Sequence, residues 1–285
     1  MTAPGSPAVL GRVFVDGQLV PSDEANVSVF DIGFQRGYAC FEALRAYGGR
    51  PFRAEAHCAR LTASAARLAI DLPPLDLLID WIEDRARSGG ECVVRIFATG
   101  GLEPANPGVG SRVIVYAEPI PPFGDTVRIG PVDAPWHADG HLSELSGTKT
   151  VSYGPNLAAS LAAKQRGFDD ALLIGRSGSV LEGPTYAVAW VAGGVIETPS
   201  LDLGILGSIT REAMLDVAAE LALPVVEGHF PLGRMLAADE AFVLSTLREI
   251  LPVAAVGDRV WDVGATTRRV QAGFRSLVAR EVGFE

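Results

Sequence analysis

The sequence predicts an α+β protein of two domains, and three observations carry that expectation. The chain has 285 residues, room for two domains at ~150 residues each. Hydrophobic alternation, the period of a half-buried strand, repeatedly gives way to the 3.6-residue period of an amphipathic helix. The stretch Pro119-Ile120-Pro121-Pro122-Phe123-Gly124 separates two sets of such segments and reads as a linker, because proline stiffens the chain and cannot donate to a strand ladder. The domains are therefore expected at 1–118 and 125–285, joined by 119–124, each with a mixed sheet. No GxGxxG turn opens a parallel βαβ series, which weighs against a dinucleotide-binding enzyme.

The elements follow in order. Val13–Val15 and Gln18–Val20 flank Asp16-Gly17, a dipeptide that accepts the positive φ angles of a tight hairpin turn. Ala39–Tyr47 is extended and ends at Gly48-Gly49. His57, Leu61, Ala65 and Leu68 then recur at helical spacing, and Leu72-Pro73-Pro74 is expected to end that helix. A second helix spans Leu75–Arg87, followed by strands at Cys92–Thr99 and Arg112–Glu118. Beyond the linker, helices are expected at Pro155–Arg166, Ser208–Leu221 (with Ser208 as cap) and Gly264–Glu281. Strands are expected at Ala171–Ile174, Val180–Glu182, Val188–Val191, Glu240–Ser245 and Leu251–Val256.

Composition excludes several classes. With 48% hydrophobic and 20% charged residues, a sizeable core is available and disorder is not expected. The net charge of −10 argues against a nucleic-acid partner, which needs a basic face. Cys40, Cys58 and Cys92 are odd in number and form no CxxC pair, as in a reducing compartment. No secretory leader and no apolar run of ~18 residues is visible, so a cytoplasmic protein without membrane contact is expected. Of 24 basic residues only two are lysines, Lys149 and Lys164. Chemistry that needs a primary amine has two candidates.

Lys149 lies among small and β-branched residues (Ser146 to Tyr153), the company of a packed strand end, where burial would make it nucleophilic. A plain surface lysine is the alternative. Lys164 has the profile of a last-turn helical charge, which suits the macrodipole. Glu182 ends an apolar stretch before Gly183-Pro184, a position from which a carboxylate can meet a ring nitrogen or merely flank a turn. Gly207-Ser208-Ile209-Thr210-Arg211 opens a helix whose free N–H groups and two hydroxyls suit one phosphate. Ser245-Thr246 ends another strand and offers further donors. His137 and His141, in His-Ala-Asp-Gly-His, have metal-like spacing but lack a third ligand, and no metal is expected. His57, on the apolar face of its helix, reads as structural.

In this order the segments resemble the class IV aminotransferases, the fold-type IV enzymes that depend on pyridoxal 5′-phosphate (PLP). The family includes branched-chain and D-amino-acid aminotransferases and 4-amino-4-deoxychorismate lyase. The resemblance runs through Gly37–Arg45 (GYACFEALR), His57–Leu61 (HCARL), Arg95 on its strand, Lys149-Thr150 with Tyr153, and Val180–Pro184 (VLEGP). It continues through Glu197-Thr198-Pro199, Ile205–Arg211 (ILGSITR), Asp239–Phe242 (DEAF) and Ser245–Val253 (STLREILPV). It implies a D-amino-acid-aminotransferase-like fold with the cofactor at the domain interface, and a homodimer. It also implies that Lys149 carries PLP on its amine and shuttles the proton, that Tyr153 bonds the cofactor's phenolic oxygen, and that Glu182 pairs with its ring nitrogen. Arg60 would hold the phosphate with Ser208, Ile209, Thr210, Ser245 and Thr246.

Departures from the family pattern bear on substrate. Ala187 stands where relatives usually carry an asparagine that braces the glutamate. The turn after Thr246 is Leu247-Arg248 where branched-chain relatives have small residues, and Arg36 precedes Gly37-Tyr38 where they often have tyrosine. Arg248 and Arg36 are thus candidates to bind a substrate carboxylate bidentately, with salt-bridge scaffolding as the alternative, and Tyr38 and Arg95 are candidate substrate contacts. The expected activity is transfer of an amino group from an amino acid to a 2-keto acid, leaning toward D-amino acids over branched-chain L-amino acids. The alternative is a lyase that releases pyruvate and 4-aminobenzoate from 4-amino-4-deoxychorismate.

Overall fold

The computed structural model describes residues 9–283; the outermost ends of the two expected domains, 1–8 and 284–285, lie outside them. The chain divides into two compact units. The first runs to Pro122 and also takes in Thr148–Ser152 and Glu281–Gly283; the second comprises Phe123–Gly147 and Tyr153–Arg280. The short segment around Lys149 thus belongs with the first unit although it lies well beyond the proline-rich stretch.

The first unit holds strands β1 (Val13–Val15), β2 (Gln18–Val20), β3 (Ala39–Tyr47), β4 (Arg50–Pro51), β5 (Cys92–Thr99) and β6 (Val113–Pro119), with helices α1 (Ile32–Arg36), α2 (Ala54–Arg67) and α3 (Leu75–Gly89). The strands form one sheet in the order β2-β1-β6-β5-β3-β4, antiparallel at every junction rather than mixed as expected. Alternation along β3 decides the layering. Cys40, Leu44 and Ala46 are buried with Cys58 and Leu61 of α2 and Leu78, Ile82 and Ala86 of α3, while Phe41, Arg45 and Tyr47 point to the opposite, less buried face. On that face Phe41 stacks on Phe97 and Phe97 on Tyr116, at 5.6 and 6.2 Å between ring centres. Phe41 and Phe97 are register partners, and Tyr116 is the diagonal neighbour of Phe97, so aromatic cross-strand contacts tie the three strands together.

Helix α2 stops at Arg67, five residues short of Leu72-Pro73-Pro74. The chain takes φ +50° at Ala69, and Leu68 and Ile70 both donate backbone N–H to Ala65 O. This reversal buries Ile70, and helical spacing alone does not reveal it.

The second unit holds β7 (Val127–Asp133), β8 (Asp170–Ile174), β9 (Ala187–Ala192), β10 (Val195–Pro199), β11 (Val225–Gly228), β12 (Glu240–Ser245), β13 (Glu249–Val256) and β14 (Arg259–Val260). Its helices are α4 (Gly154–Gln165), α5 (Ile209–Glu220), α6 (Leu232–Leu236) and α7 (Ala265–Val282). The sheet order is β11-β10-β9-β12-β13-β7-β8 with β14 beside β13; β7–β8, β7–β13 and β10–β11 are parallel, so this sheet is mixed. β8, β9 and β12 are almost wholly buried and read as continuous apolar runs. Val180–Glu182, expected as a strand, makes one bridge, Val180 to Ile174, with Leu181 N–H donating to Leu173 O and Leu173 N–H to Glu182 O. Beside it Ser179 bridges to Pro231, which has no N–H to extend a ladder. No described helix is long and apolar enough to cross a membrane.

The β1–β2 turn provides a direct check. Asp16 and Gly17 both have positive φ, and a Cβ on Gly17 would sit 2.8 Å from the Trp81 ring, which itself stacks on Phe14. Gly17→Ala combines strained backbone with a clash and is expected to cost about 1–3 kcal/mol. Urea unfolding followed by tryptophan fluorescence should show a lower midpoint; an unchanged midpoint would refute this reading of the turn.

Candidate active site

In the first unit the candidate functional residues gather around the start of β3. Phe41 N–H donates to Lys149 O (3.1 Å), Val151 N–H to Ala39 O (3.0 Å), and Cys40 and Thr150 form an antiparallel bridge. The Lys149 segment is thereby an extra half-strand on the edge of β3. Its backbone N–H donates to Ser64 Oγ of α2 (3.2 Å), and Ser152 Oγ donates to Gly37 O (2.9 Å). The Lys149 side chain is half-buried, with Nζ 4.4 Å above the centre of the Phe41 ring.

Beneath it lies a buried polar cluster. Glu42 faces the helix side of β3 with no exposure, and its carboxylate accepts from Arg60 Nε (2.6 Å) and Nη2 (2.8 Å) and from His57 Nδ1 (2.8 Å). Burial pushes the carboxyl up, but the Arg60 charge and the hydrogen bonds from Arg60 and His57 outweigh it and leave the pKa at about 2. His57 is driven the other way. Burial lowers its pKa below 6.5 and Glu42 only partly offsets this, so the ring is a neutral Nδ1–H donor. Arg60, expected on a phosphate, commits its Nε–Nη2 edge to Glu42.

In the second unit Glu182 is mostly buried and held at three points. Its backbone carbonyl accepts from Leu173 N (2.9 Å), Oε2 accepts from Leu206 N (3.3 Å), and Oε1 lies 3.1 Å from His137 Nε2. Sequence reasoning set His137 aside as a poor metal ligand, and its approach to Glu182 has no local signature because 45 residues separate them. Gly183 must be glycine, since a Cβ there would overlap the Tyr186 ring. Ala187 lies buried on β9 and brings no polar side chain.

Ser208 caps α5, its Oγ accepting from Arg211 N (3.2 Å), and the first helical bond is Glu212 N to Ser208 O. The Ile209 and Thr210 N–H groups precede that ladder and point out of the helix's positive end. The β12–β13 hairpin pairs Ser245 with Glu249, so Thr246-Leu247-Arg248 is its tip. Ser245 Oγ accepts from Arg248 N (3.2 Å). Tyr153 is the half-buried cap residue of α4. Lys164 is exposed in the last turn of α4, as expected.

The candidate substrate residues fare differently. Arg248, read as a carboxylate anchor, is bound to Asp170 (3.0 Å) and lies over the rings of Tyr186 and Phe123, the scaffolding alternative. Arg95 is likewise paired, with Glu118 on the adjacent strand at 2.6 Å. Arg36 ends α1 exposed and makes no hydrogen bond or ion pair among the described residues. Tyr38, two residues on, is half-buried against the first core. No group of three described His, Cys, Asp or Glu residues could hold a metal ion.

Comparison with known proteins gives these groups a context. The sequence model of the family described as amino-transferase class IV matches residues 39–256. A Methanocaldococcus jannaschii protein, named provisionally a branched-chain-amino-acid aminotransferase, is 31% identical over 93% of this chain and 96% of its own. The D-alanine aminotransferase of Staphylococcus epidermidis is 28% identical over 94% and 98%. The crystal structure of the branched-chain aminotransferase of Thermoproteus uzoniensis with norvaline superposes with a TM-score of 0.86 at 28% identity, covering 95% of each chain.

The Glu42 cluster makes a measurable prediction. A glutamate in the unfolded chain takes up its proton near pH 4.5, whereas Glu42 in the folded protein does so only near 2. Its contribution is complete above pH 4.5 and is lost as pH falls toward 2. Glu42→Gln strands the Arg60 charge and is expected to cost on the order of 3 kcal/mol at pH 7. Urea unfolding across pH should also show a shallower acid slope in the variant; wild-type stability and slope would refute the assignment.

Proposed function

The chain belongs to the class IV aminotransferases, whose cofactor is PLP, and on that premise we propose that it transfers the amino group of an apolar L-amino acid of the branched-chain class to a 2-keto acid. The observation that carries this reading is the setting of the Lys149 amine, over Phe41 and on the sheet face that Phe97 and Tyr116 continue. An amine set on an aromatic face sits beside a surface that accepts an apolar side chain. The relatives named for branched-chain aminotransferases, at 28–31% identity, support the same substrate class.

The donor set fits the cofactor. The first unit supplies an amine and a guanidinium, the second a carboxylate and the open N-terminus of a 12-residue helix. These match the aldehyde, phosphate and ring nitrogen of PLP by chemistry. Bound, PLP supplies an electron sink for charge that develops at the substrate Cα. In this reading Lys149 holds the aldehyde carbon, then takes and returns a proton at Nζ. Arg60, the Ile209 and Thr210 N–H groups and the hydroxyls of Ser208, Thr210, Ser245 and Thr246 bind the phosphate. Tyr153 donates to the phenolic oxygen, and Glu182 keeps the ring nitrogen protonated.

Arg36 is the substrate-carboxylate residue of this proposal. It neighbours Gly37, which is tied to Ser152 three residues from Lys149, while Arg95 and Arg248 are neutralised by carboxylates. A cytoplasmic homodimer completes the reading. Val29, Phe30 and Phe34 lie 61–73% exposed, an apolar cluster that soluble monomers seldom leave bare. A second reading, toward D-amino acids, is kept by the same exposed Arg36, since branched-chain relatives often carry tyrosine there; Arg248 no longer supports it.

Three measurements test the proposal. Borohydride reduction of the PLP-loaded protein followed by peptide mapping should label Lys149; label on Lys164, or on neither, overturns the reading. L-leucine, L-valine or L-isoleucine should bleach the yellow colour and a 2-keto acid should restore it, at least tenfold faster than with D-amino acids. Faster D-donors would transfer the assignment to the second reading, and pyruvate release from 4-amino-4-deoxychorismate without transamination to the lyase. Arg36→Ala should raise KM for the donor about tenfold or more with little change in kcat, as loss of uniform binding requires.

A further inference from the structure

The His-Ala-Asp-Gly-His segment has no part in the chemistry described so far, yet its backbone and Asp139 are tied down at several points. Ala134 N–H donates to Ile174 O at the end of β8 (2.8 Å), His137 N–H to Ala134 O (3.0 Å) and His141 N–H to Ala138 O (2.8 Å). Asp139, at φ +46°, turns its carboxylate to Ser177, accepting from the backbone N–H (2.7 Å) and from Oγ (2.8 Å). Gly140 N–H donates to Leu203 O (3.2 Å), and Gly204 admits Ala138 so closely that an added Cβ would lie 2.6 Å from it. What this framework presents is the His137 ring.

That ring is mostly buried, and its Nε2 meets Glu182 Oε1 at 3.1 Å. Among the described residues it is the one side chain that hydrogen-bonds Glu182; the other bond comes from the Leu206 backbone, and Ala187 offers nothing polar. The tautomer follows from the partners. An ionised carboxylate only accepts, so Nε2 carries the proton. Nδ1 is buried without a hydrogen-bond partner, and a lone pair there costs less than a stranded N–H would.

We propose that His137 is a positioning residue for Glu182, donating Nε2–H to Oε1 so that both carboxylate oxygens are held and the plane of the carboxylate is fixed. This rests on the reading that Glu182 serves the cofactor's ring nitrogen. A carboxylate held by one bond can swing about its last torsion; held at both oxygens, it keeps one orientation toward the group it must keep protonated. His137 touches neither substrate nor cofactor in this scheme. It acts through Glu182, as hydrogen-bond partners behind a ligand do in metal sites, where their loss weakens affinity 10–100-fold.

The test compares His137→Phe, which keeps an aromatic ring but no donor, with His137→Gln, which keeps a side-chain N–H. In the PLP-loaded wild type the dissociation constant of PLP and the pH midpoint of the cofactor's visible band are measured first. His137→Phe should weaken PLP binding about tenfold or more, move the band's midpoint and lower kcat with the donor KM held within twofold; His137→Gln should recover most of each effect. A purely structural role would lower the melting temperature without moving the midpoint. In cofactor-free protein, nitrogen NMR of the imidazole should report the Nε2–H tautomer, and Glu182→Gln should alter its Nε2 resonance. A His137→Phe protein that folds and binds PLP as wild type does, or a Glu182→Gln protein with an unaltered imidazole, overturns the proposal. If wild type and variants alike bind PLP but Glu182→Gln leaves the band's midpoint unmoved, the failure lies in the reading of Glu182, and the proposal falls with it.

Discussion

An ionised carboxylate with no solvent exposure, Glu42, is the constraint around which the first unit is arranged. Burying a charge is costly unless it is paired and hydrogen-bonded, so the core can close only if donors arrive in a fixed geometry. They come from α2. His57 and Arg60 are three residues apart, which puts both on one face of the helix, and Ser64, four further on, continues that face. The same helical stripe that neutralises Glu42 therefore also accepts the Lys149 backbone N–H. Any rotation or slide of α2 against β3 would unpair the carboxylate and displace the lysine together. Alternation in β3 completes the coupling: Glu42 faces the helices, and its neighbour Phe41 faces the amine from the other side of the sheet.

The second unit meets its charges differently. Three of its arginines are absorbed by carboxylates near the sheet: Arg211 by Glu227, Arg234 by Glu197 and Arg248 by Asp170. Glu182 differs from these three, because no arginine answers it. Its oxygens take neutral donors, a backbone N–H and an imidazole. A guanidinium there would satisfy the carboxylate fully, leaving little for a protonated ring nitrogen to gain. In the proposed role, neutral donors would orient the group and leave its charge for the cofactor's ring nitrogen.

Much of this was legible in the sequence, and what was not has identifiable physical causes. Ala39–Tyr47 reads directly as β3 because alternation spans nine residues, and Asp16-Gly17 as a turn because few dipeptides accept two positive φ angles. β7 escaped because Gly130 and Pro131 interrupt its pattern, and β11 because it is largely exposed and shows no alternation. The residues proposed to carry chemistry announce themselves locally: Lys149 among small neighbours, Glu182 at the end of an apolar run, Ser208 at a helix start. The groups that brace them do not. Glu42 and Arg60 are 18 residues apart, His137 and Glu182 are 45, and Arg248 and Asp170 are 78. Such pairs leave no periodic trace in one sequence, which is how Arg248 came to look available for a substrate.

The scarcity of lysine acquires a physical sense from the same pairs. Both cations can bridge to a carboxylate, but only the amine condenses with an aldehyde; a guanidinium stays protonated at any physiological pH and is no nucleophile. Building the ion pairs of both units from arginine therefore supplies the structural charge without competing amines. Of the two lysines that remain, Lys164 is exposed at a helix end, where positive charge is favourable and water surrounds it. Lys149 is half-buried on an aromatic ring, its backbone fixed by Ser64 and Phe41. The difference between the two lies in surroundings rather than in residue type, and those surroundings trace back to the α2 face that Glu42 requires.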